Sequence, residues 1–365
     1  MEDVVKYIIL HADSGFYFSE KEDLSKSIIN IFSNGLTSNK NDDLIFKDIM
    51  NLINSEPKVF FCIIPIHGVI LGKNYNFGFV NFYPAEMKNK IIKANYNKNI
   101  TKFLTSKSSK VGDFDGENFV TISVKSLSSQ RASEIAVSEV YKALNVIKFL
   151  FNYNLDDLYQ LGVGKKSSSI FDKEFIVGSN ELNKALKSHP FKFLPFSVNF
   201  NKLNDNGNEY LNKMFSIQSK IYNNEKTLPL ERSLLNVVNL VASGLYTDDY
   251  NTSMVKFMSA IEALVEQKTF NQSITEQVCE RTALLIGKTF DKRKEIYTKM
   301  TKLYNKRSII SHGGTIRVTK WDVDYLFKIS QCLFFYFLDK FDFFNDSNKK
   351  EKHTLKDYII KLKLK

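Results

Sequence analysis

The sequence predicts an α+β protein, in which a mixed, strand-rich N-terminal region precedes an all-helical C-terminal bundle. Runs of Ile, Val, Phe and Tyr bounded by Gly, Asn and Pro recur in the first 125 or so residues, which is typical of strands. After residue 229, apolar residues recur instead at the 3.6-residue period of helices. We therefore expect an α+β region at 1–228, a helical domain at 229–345 and a basic tail at 346–365.

The composition excludes several classes of protein. Apolar residues make up 43% of the chain and charged residues 25%, as in globular domains. No apolar run approaches the roughly 18 residues of a membrane-spanning helix, and the first residues lack the basic segment of a signal peptide. Three cysteines far apart in sequence are too few for a disulfide scaffold. We expect a cytoplasmic protein with no membrane partner.

The net charge of +11 comes almost entirely from lysine, since the chain has only six arginines. A lysine surplus of this kind is found both on solvated surfaces and on faces that bind polyanions. Composition alone leaves these two interpretations open.

The N-terminal region contains four predicted strands, at 4–10, 59–70, 76–83 and 118–124. A polar, turn-rich segment is expected at 34–43, and the lysine-rich stretch 88–110 fits either a helix or a loop. One long helix is predicted at 129–152, because its apolar residues follow the helical period. Residues 160–228 are expected to form loops between short strands, with a turn at 204–208.

Five helices are predicted after residue 228, opened by capping residues or Pro and mostly closed by Gly. The predicted starts are Pro229, Thr252 or Ser253, Ser273 with Glu276, Asp291, and Thr319 with Asp322. The predicted ends include Gly244, Gly287, and Gly313 with Gly314. Short loops between amphipathic helices indicate a helical bundle.

The fourth of these helices holds the strongest candidate for chemistry. Its apolar stripe, formed by Ile296, Met300, Leu303 and Ile310, has Arg307 near its centre. A guanidinium cannot lose its charge, and leaving it unpaired in a core is costly. Arg307 must therefore meet an acid, backbone carbonyls, an interface or an anion, and its forked shape suits phosphate.

His312 follows five residues later, about 140° around a straight helix from Arg307. Gly313 and Gly314 allow the helix to end there and the histidine to turn back toward the arginine. An Arg and a His at one phosphodiester can stabilise its developing charge and move its protons. The structural alternative is that both residues cap carbonyls at the helix C-terminus.

The surrounding sequence resembles a known family. Residues 303–314 read LYNKRSIISHGG, which resembles the R-x4–6-H signature of the HEPN superfamily, and of its Apea-like domains in particular. Residues 257–264, FMSAIEAL, and 280–285, ERTALL, resemble the helices that precede this motif in that family. The resemblance covers about residues 229–340.

The resemblance implies a metal-independent endoribonuclease that works as a homodimer, with two motifs in one composite cleft and no cofactor. Arg307 would stabilise the scissile phosphate, and His312 would be the general acid and base. RNA would be cut by its own 2′-hydroxyl, leaving a 2′,3′-cyclic phosphate and a 5′-hydroxyl.

Four further residues are expected to support this site: Ser308, Lys306, Tyr304 and Glu262. Ser308 would orient the RNA or the histidine, and Lys306 and Tyr304 would assist RNA binding. Glu262 is the expected partner of a buried cation, either Arg281 or Arg307. Alternatively, Glu262 is an ordinary exposed acid on a helix.

Apea-like HEPN proteins are associated with bacterial defence against phage. We therefore expect a toxic effector of abortive infection whose region 1–228 senses a phage-derived trigger or a regulatory partner, or restrains the nuclease. Two alternatives remain. One is a non-catalytic HEPN dimer that binds RNA or a protein as a sensor or adaptor. The other is a lysine-rich nucleic-acid binder that does not dimerise.

Two weaker candidates complete the sequence analysis. The paired acids at 156–157 and 248–249 fit caps or turns better than metal ligands. His67 follows an apolar run and fits a strand end or the core, since no second ligand lies at metal-binding spacing.

Overall fold

The computed structural model describes residues 21–53, 56–105, 117–127, 129–152, 155, 158–159, 161–164, 175–179, 184–188, 193–194, 197–203, 205–247, 249–265, 273–345 and 355–364. An antiparallel sheet region at about 58–163 precedes a mostly helical C-terminal region, so the predicted α+β class is confirmed. The predicted strand at 4–10 lies outside the described residues. Within them, no helix combines the length and the apolar character needed to cross a membrane.

The N-terminal half alternates helices and strands. Its helices are α1 (Lys21–Thr37), α2 (Asp42–Ile53), α3 (Lys88–Asn95), α4 (Lys98–Thr105) and α5 (Ser129–Phe151). Its longer strands are β1 (Lys58–His67), β4 (Val80–Tyr83) and β5 (Asn118–Ser126). The short strands between them are β2 (Val69–Ile70) and β3 (Tyr75–Asn76).

The C-terminal half begins with short strands and continues with helices. The strands are β6 (Leu158–Tyr159), β7 (Gly162–Val163), β8 (Phe175–Ser179), β9 (Lys184–Ser188), β10 (Phe193–Leu194) and β11 (Val198–Asn199). The helices are α6 (Asp205–Tyr222), α7 (Pro229–Leu245), α8 (Tyr250–Val265), α9 (Ile274–Ile286), α10 (Phe290–Ser311), α11 (Lys320–Asp339), α12 (Phe341–Asn345) and α13 (Leu355–Lys363).

Backbone contacts divide the chain into two compact units. The first comprises Met1–His67, Leu71–Tyr141 and Val163–Lys165, and the second comprises Gly68–Ile70, Lys142–Gly162 and Lys166–Lys365. This division by backbone contacts does not test the predicted domain boundary near Pro229, which stays a prediction.

The first unit is organised around a five-stranded sheet with the order β3-β4-β5-β1-β7. Strands β1 and β5 pair antiparallel along their whole length, from Lys58 opposite Ser126 to Ile66 opposite Asn118. Most of β5 is buried, which explains its near-continuous apolar sequence. The predicted strand at 118–124 is confirmed. The predicted strand at 59–70 is divided at Gly68 into β1 and β2, and the one at 76–83 is divided between β3 and β4.

The turn-rich segment expected at 34–43 is confined to residues 38–41, between the end of α1 at Thr37 and the start of α2 at Asp42. Asn39 and Asn41 lie at these two helix ends. Asn39 adopts a left-handed conformation with φ 51°, and the Asn41 side chain accepts a hydrogen bond of 2.9 Å from Leu44 N. The lysine-rich stretch 88–110, which fitted either a helix or a loop, contains two helices, Lys88–Asn95 and Lys98–Thr105.

The turn predicted at 204–208 was wrong, because α6 begins at Asp205. Glycine in the first turn of a helix is tolerated there, since the first backbone N–H groups have no intrahelical partner. The helix is stabilised further along, where Leu211, Met214 and Phe215 are buried.

Helix α8 lies at the centre of the helical bundle and packs against α7, α9, α10 and α11. Phe257 of α8 is fully buried and contacts the ring of Phe327 on α11, with 5.8 Å between ring centres. Gly244, predicted to stop α7, lies inside that helix. A Cβ at Gly244 would lie 2.5 Å from the Phe257 ring, so the glycine permits close packing of α7 on α8.

Two predicted capping boxes are confirmed, at Ser273 with Glu276 and at Thr319 with Asp322. Pro229 is the first residue of α7, also as predicted, and Gly287 caps the end of α9. These caps are recognisable in sequence because both partners lie within one helical turn.

Two predicted helix starts were wrong by up to a turn. Asp249, not Thr252 or Ser253, caps α8, because its side chain accepts a hydrogen bond of 2.9 Å from Thr252 N. That bonding, led by the Thr252 hydroxyl, lowers the pKa of Asp249 below its ordinary value. Thr289 caps α10, with Asp291 inside the first turn.

The basic tail contains helix α13, which packs against α9. Ile359 is buried, and Lys363 Nζ lies 2.7 Å from the carboxylate of Glu280. The described part of the tail is therefore folded onto the helical bundle.

Candidate active site

Helix α10 carries the predicted site and exposes most of its surface. Of its 22 residues, only Met300, Leu303 and Tyr304 are buried, and they pack toward α8 and α9. Ile310 of the predicted apolar stripe is half-buried. A helix this long with so few buried residues leaves a broad face of the chain open to solvent or to a partner.

Glu262 of α8 faces α10 and binds two of its side chains. Tyr304 Oη donates a hydrogen bond of 2.7 Å to Glu262 Oε1, and Arg307 Nη2 donates one of 3.2 Å to Oε2. Tyr304 and Arg307 lie three residues apart and so share a helix face. The guanidinium carbon also lies 5.7 Å from the centre of the Tyr304 ring. One carboxylate thus fixes the arginine in position.

Arg307 is neither in the core nor free in water. Its side chain is 26% exposed, and that of Glu262 is 13% exposed. Its Nε is buried and has no hydrogen-bond partner among the described residues. We expected Arg307 to meet an acid, backbone carbonyls, an interface or an anion, and within the chain it meets the acid Glu262. A guanidinium has five N–H donors, so most of those of Arg307 remain for a further acceptor.

Arg281, the other cation considered for Glu262, has a different environment. It is buried, with 5% of its surface exposed, and its Nη1 donates a hydrogen bond of 2.6 Å to the carbonyl oxygen of Val265. That contact links α9 to the end of α8.

His312 caps the C-terminus of α10 and keeps the helical backbone pattern. Its N–H donates to Ser308 O over 3.1 Å, and the left-handed residue that ends the helix is Gly313, with φ 77°. Gly314 N then donates to Ile309 O over 2.9 Å and Gly313 N to Ile310 O over 3.0 Å, which forms a Schellman motif.

The helix ends at Ser311, and His312 is its C-cap, with φ −96° and ψ 15°. On an ideal helix of about 100° per residue, positions 307 and 312 would lie about 140° apart. The expected turn of the histidine back toward Arg307 stays a prediction. The His312 side chain is exposed and makes no hydrogen bond or ion pair with any residue that the structure describes. Within one chain, the arginine faces Glu262 and the histidine faces solvent.

Lys306, expected to assist RNA binding, holds α11 and its preceding loop against α10. Its Nζ donates to Asp322 Oδ2 over 2.8 Å and to the Arg317 carbonyl oxygen over 3.1 Å. Burial alone would raise the pKa of Asp322, but Lys306 and Thr319 bind its carboxylate and hold the pKa below its ordinary value. Ser308 is half-buried, and its carbonyl accepts the His312 N–H.

A groove of about 660 Å³ runs along α10 on the side of α11. Its charged lining residues are Asp291, Lys294, Glu295, Lys299, Lys302, Lys306 and Asp322. The acids Asp291 and Glu295 lie near the start of the helix. From residue 296 to its end at Ser311, α10 carries four Lys or Arg side chains and no acid. The net positive charge of α10 therefore lies mainly in the part of the helix that leads to Arg307 and His312.

Two residues of this end were missed in the sequence analysis. Trp321, the only tryptophan of the chain, lies in the first turn of α11 and is 81% exposed. Arg317 is exposed in the preceding loop. Exposure of an aromatic residue depends on tertiary packing, and sequence periodicity gave no signal for it.

The weaker candidates have structural roles or lie outside the described residues. Asp249 is a helix cap, and Asp156, Asp157 and Asp248 are not described. His67 ends β1, where its Nδ1 lies 3.0 Å from Gly164 O. No group of three or more His, Cys, Asp or Glu side chains in the described ranges is arranged to hold a metal ion.

Comparisons of the chain with models of protein families, with curated proteins and with solved structures find no match. The likeness to HEPN domains consequently depends on the three quoted sequence segments. In the fold, these segments lie on the helices α8, α9 and α10, which pack against one another.

Proposed function

We propose that the protein is a HEPN-type endoribonuclease that cuts RNA in a composite site formed by two copies of the chain. The observation that carries the proposal is the environment of the two motif residues. Arg307 is held by Glu262 with most of its donors unused, whereas His312 is exposed at the end of the same helix. Both are suited to an anionic substrate.

A dimer is part of this proposal, because the helical period places positions 307 and 312 about 140° apart on one chain. If α10 pairs with its symmetry mate about a two-fold axis, Arg307 of one subunit can lie beside His312 of the partner subunit. Helix α10 offers a broad surface for such pairing, since only three of its 22 residues are buried.

In the proposed reaction, Arg307 binds the non-bridging oxygens of the scissile phosphate and stabilises the charge that develops on them. Glu262 and Tyr304 keep the guanidinium oriented, so little freedom is lost on binding. The ribose 2′-oxygen attacks phosphorus as its proton passes to a base, and the bond from phosphorus to the 5′-oxygen breaks as that oxygen gains a proton. His312 serves these proton transfers.

The products of this reaction are a 2′,3′-cyclic phosphate and a 5′-hydroxyl. The nucleophile is part of the RNA, so the scheme requires no metal-activated water. The resemblance further suggests a cytoplasmic toxic effector of anti-phage defence, in which the region 1–228 responds to a phage-derived trigger or restrains the nuclease.

The experiment compares purified wild type with Arg307→Ala and His312→Ala on single-stranded RNA. Arg232→Ala serves as control, because Arg232 is an exposed arginine that binds Thr227 at the start of α7. We expect cleavage by wild type and the control only, with cyclic-phosphate ends. If wild type binds RNA but neither it nor any variant cleaves, the alternative of a non-catalytic HEPN sensor or adaptor replaces the nuclease.

A further inference from the structure

The exposed tryptophan lies at the same end of α10 as the motif. Trp321 precedes Asp322, and Asp322 is held by Lys306, the residue before Arg307, over 2.8 Å. The same lysine binds the carbonyl oxygen of Arg317 over 3.1 Å. These two bonds hold the first turn of α11, which includes Trp321, beside the C-terminal half of α10.

The stretch that leads up to Trp321 carries positive charge only, whereas Asp322 and Asp324 follow the tryptophan. Between Glu295 and Asp322 the chain has six Lys or Arg residues and no Asp or Glu. Lys302 and Arg317 are exposed among them, and Asp322 itself is bound to Lys306. An exposed indole near cations is a combination by which proteins bind unpaired nucleotides, since the cations contact phosphates and the ring stacks on a base.

We propose that Trp321 is a stacking platform for an unpaired nucleotide next to the scissile phosphate, so that the site selects single-stranded RNA over duplex. This inference rests on the proposed function and identifies its substrate class. In a duplex, both faces of each base are already stacked on neighbouring bases, so the indole has no free base to contact. Lys302 and Arg317 would bind the phosphates on either side of that nucleotide.

The surroundings of Trp321 favour a nucleotide over an apolar protein surface. The nearest comparable aromatic on these helices is Phe290, 78% exposed, but it lies at the opposite end of α10. A helix rises 1.5 Å per residue, which puts about 30 Å between the two ends of α10. The sequence neighbours of Trp321 are Lys320 and Asp322, and a single exposed ring does not form the contiguous apolar patch typical of protein interfaces.

The test measures RNA binding in the His312→Ala background, so that the RNA stays intact. The probes are one oligonucleotide as a single strand and the same sequence as a blunt duplex. Trp321 is the only tryptophan, so its fluorescence reports stacking directly. We expect quenching by the single strand and not by the duplex.

Trp321→Ala should weaken single-strand binding about tenfold or more and reduce the preference over duplex, whereas Trp321→Phe should retain most of the affinity. Phe290→Ala is the matched control and should bind as the parent does. Equal affinities of Trp321→Ala and Phe290→Ala for the single strand would overturn the inference.

Cleavage assays with intact His312 separate this inference from the proposed function. If the protein cuts RNA and Trp321→Ala cuts single strands as well as wild type does, the stacking platform alone is wrong. If Trp321 contributes to single-strand binding but wild type never cuts, the nuclease is wrong and the platform stands. If wild type neither binds nor cuts RNA, both are wrong.

Discussion

Glu262 on α8 holds Arg307 on α10 by an ion pair of 3.2 Å between Oε2 and Nη2, and its other oxygen accepts a hydrogen bond from Tyr304. Three residues on two helices thus fix one guanidinium near the bundle surface. Fixing the group before an anion arrives reduces the entropy that binding would otherwise cost. Removing either partner should therefore affect chemistry more than folding.

Replacing Glu262 by Ala should lower kcat for RNA cleavage at least about tenfold, with a smaller change in KM, because the guanidinium loses its orientation. Glu262→Asp should restore part of the rate, since it keeps the charge. Glu225→Ala is the control, as Glu225 is exposed and contacts Asn223. Steady-state and single-turnover kinetics measure the effect. Wild-type kcat in Glu262→Ala would show that the ion pair has no catalytic role.

Replacing Tyr304 by Phe removes only the hydroxyl that binds Glu262 over 2.7 Å. We expect the free energy of unfolding to fall by about 1 kcal/mol, because the carboxylate loses a partly buried hydrogen bond. Tyr297→Phe on the same helix is the control, since Tyr297 is 41% exposed. Urea denaturation measures both variants, and equal midpoints would argue against the contact.

Replacing Gly313 by Ala should destabilise the protein by about 1 kcal/mol, because its φ of 77° is costly for a side chain. No atom lies within 4 Å of the added Cβ, so the effect is one of backbone conformation. Gly164→Ala, at φ 89° and also in open space, is the matched control. Both should lose similar stability, but only Gly313→Ala should also slow cleavage, because it disturbs His312. Equal cleavage rates in the two variants would contradict this.

Lys148 on α5 should make stability depend on pH. It is buried, with its Nζ 4.3 Å from the centre of the Tyr246 ring, and burial lowers its pKa from 10.5 to about 8. Between these values the unfolded chain binds a proton that the folded chain has released. The free energy of unfolding should therefore rise with pH across this window.

Lys148→Met should remove this rise, which we expect to be about 1 to 2 kcal/mol between pH 7 and 9.5. Urea denaturation of both proteins over that range measures it. Buried tyrosines such as Tyr325, whose pKa burial raises to about 12, act in the opposite direction at higher pH and set the upper limit of the range. Parallel pH profiles for the two proteins would show that Lys148 is not the source.

The sequence predicted features whose determinants lie within one helical turn. The capping boxes at Ser273 and Thr319 and the long helix α5 belong to this group. The helix ends within residues 34–43 were missed because asparagines such as Asn39 and Asn41 are common both in turns and at helix ends. Only the buried faces of the flanking helices distinguish a helix end from an ordinary turn.

Features that depend on tertiary packing could not be predicted from the sequence. Gly244 resembles a helix stop until the ring of Phe257 is seen against it. The choice of Arg307 over Arg281 as partner of Glu262 depends on how α8 and α10 face each other across 45 residues. The binding of Lys306 to Asp322 and the exposure of Trp321 likewise follow from the packing of α11.

The measurement that tests the central claim most directly is complementation between two inactive variants. Arg307→Ala and His312→Ala are purified separately, mixed in equal amounts under exchange conditions and assayed on single-stranded RNA. If each site combines Arg307 of one subunit with His312 of the partner subunit, half of the randomly mixed dimers contain one intact site out of two. Activity should then recover to about a quarter of the wild-type value.

Each variant alone should remain inactive and dimeric, and mixing either one with itself should restore nothing. A mixture that stays inactive while heterodimers are present would contradict the composite site. Single variants that cleave as well as wild type would contradict the roles of both residues.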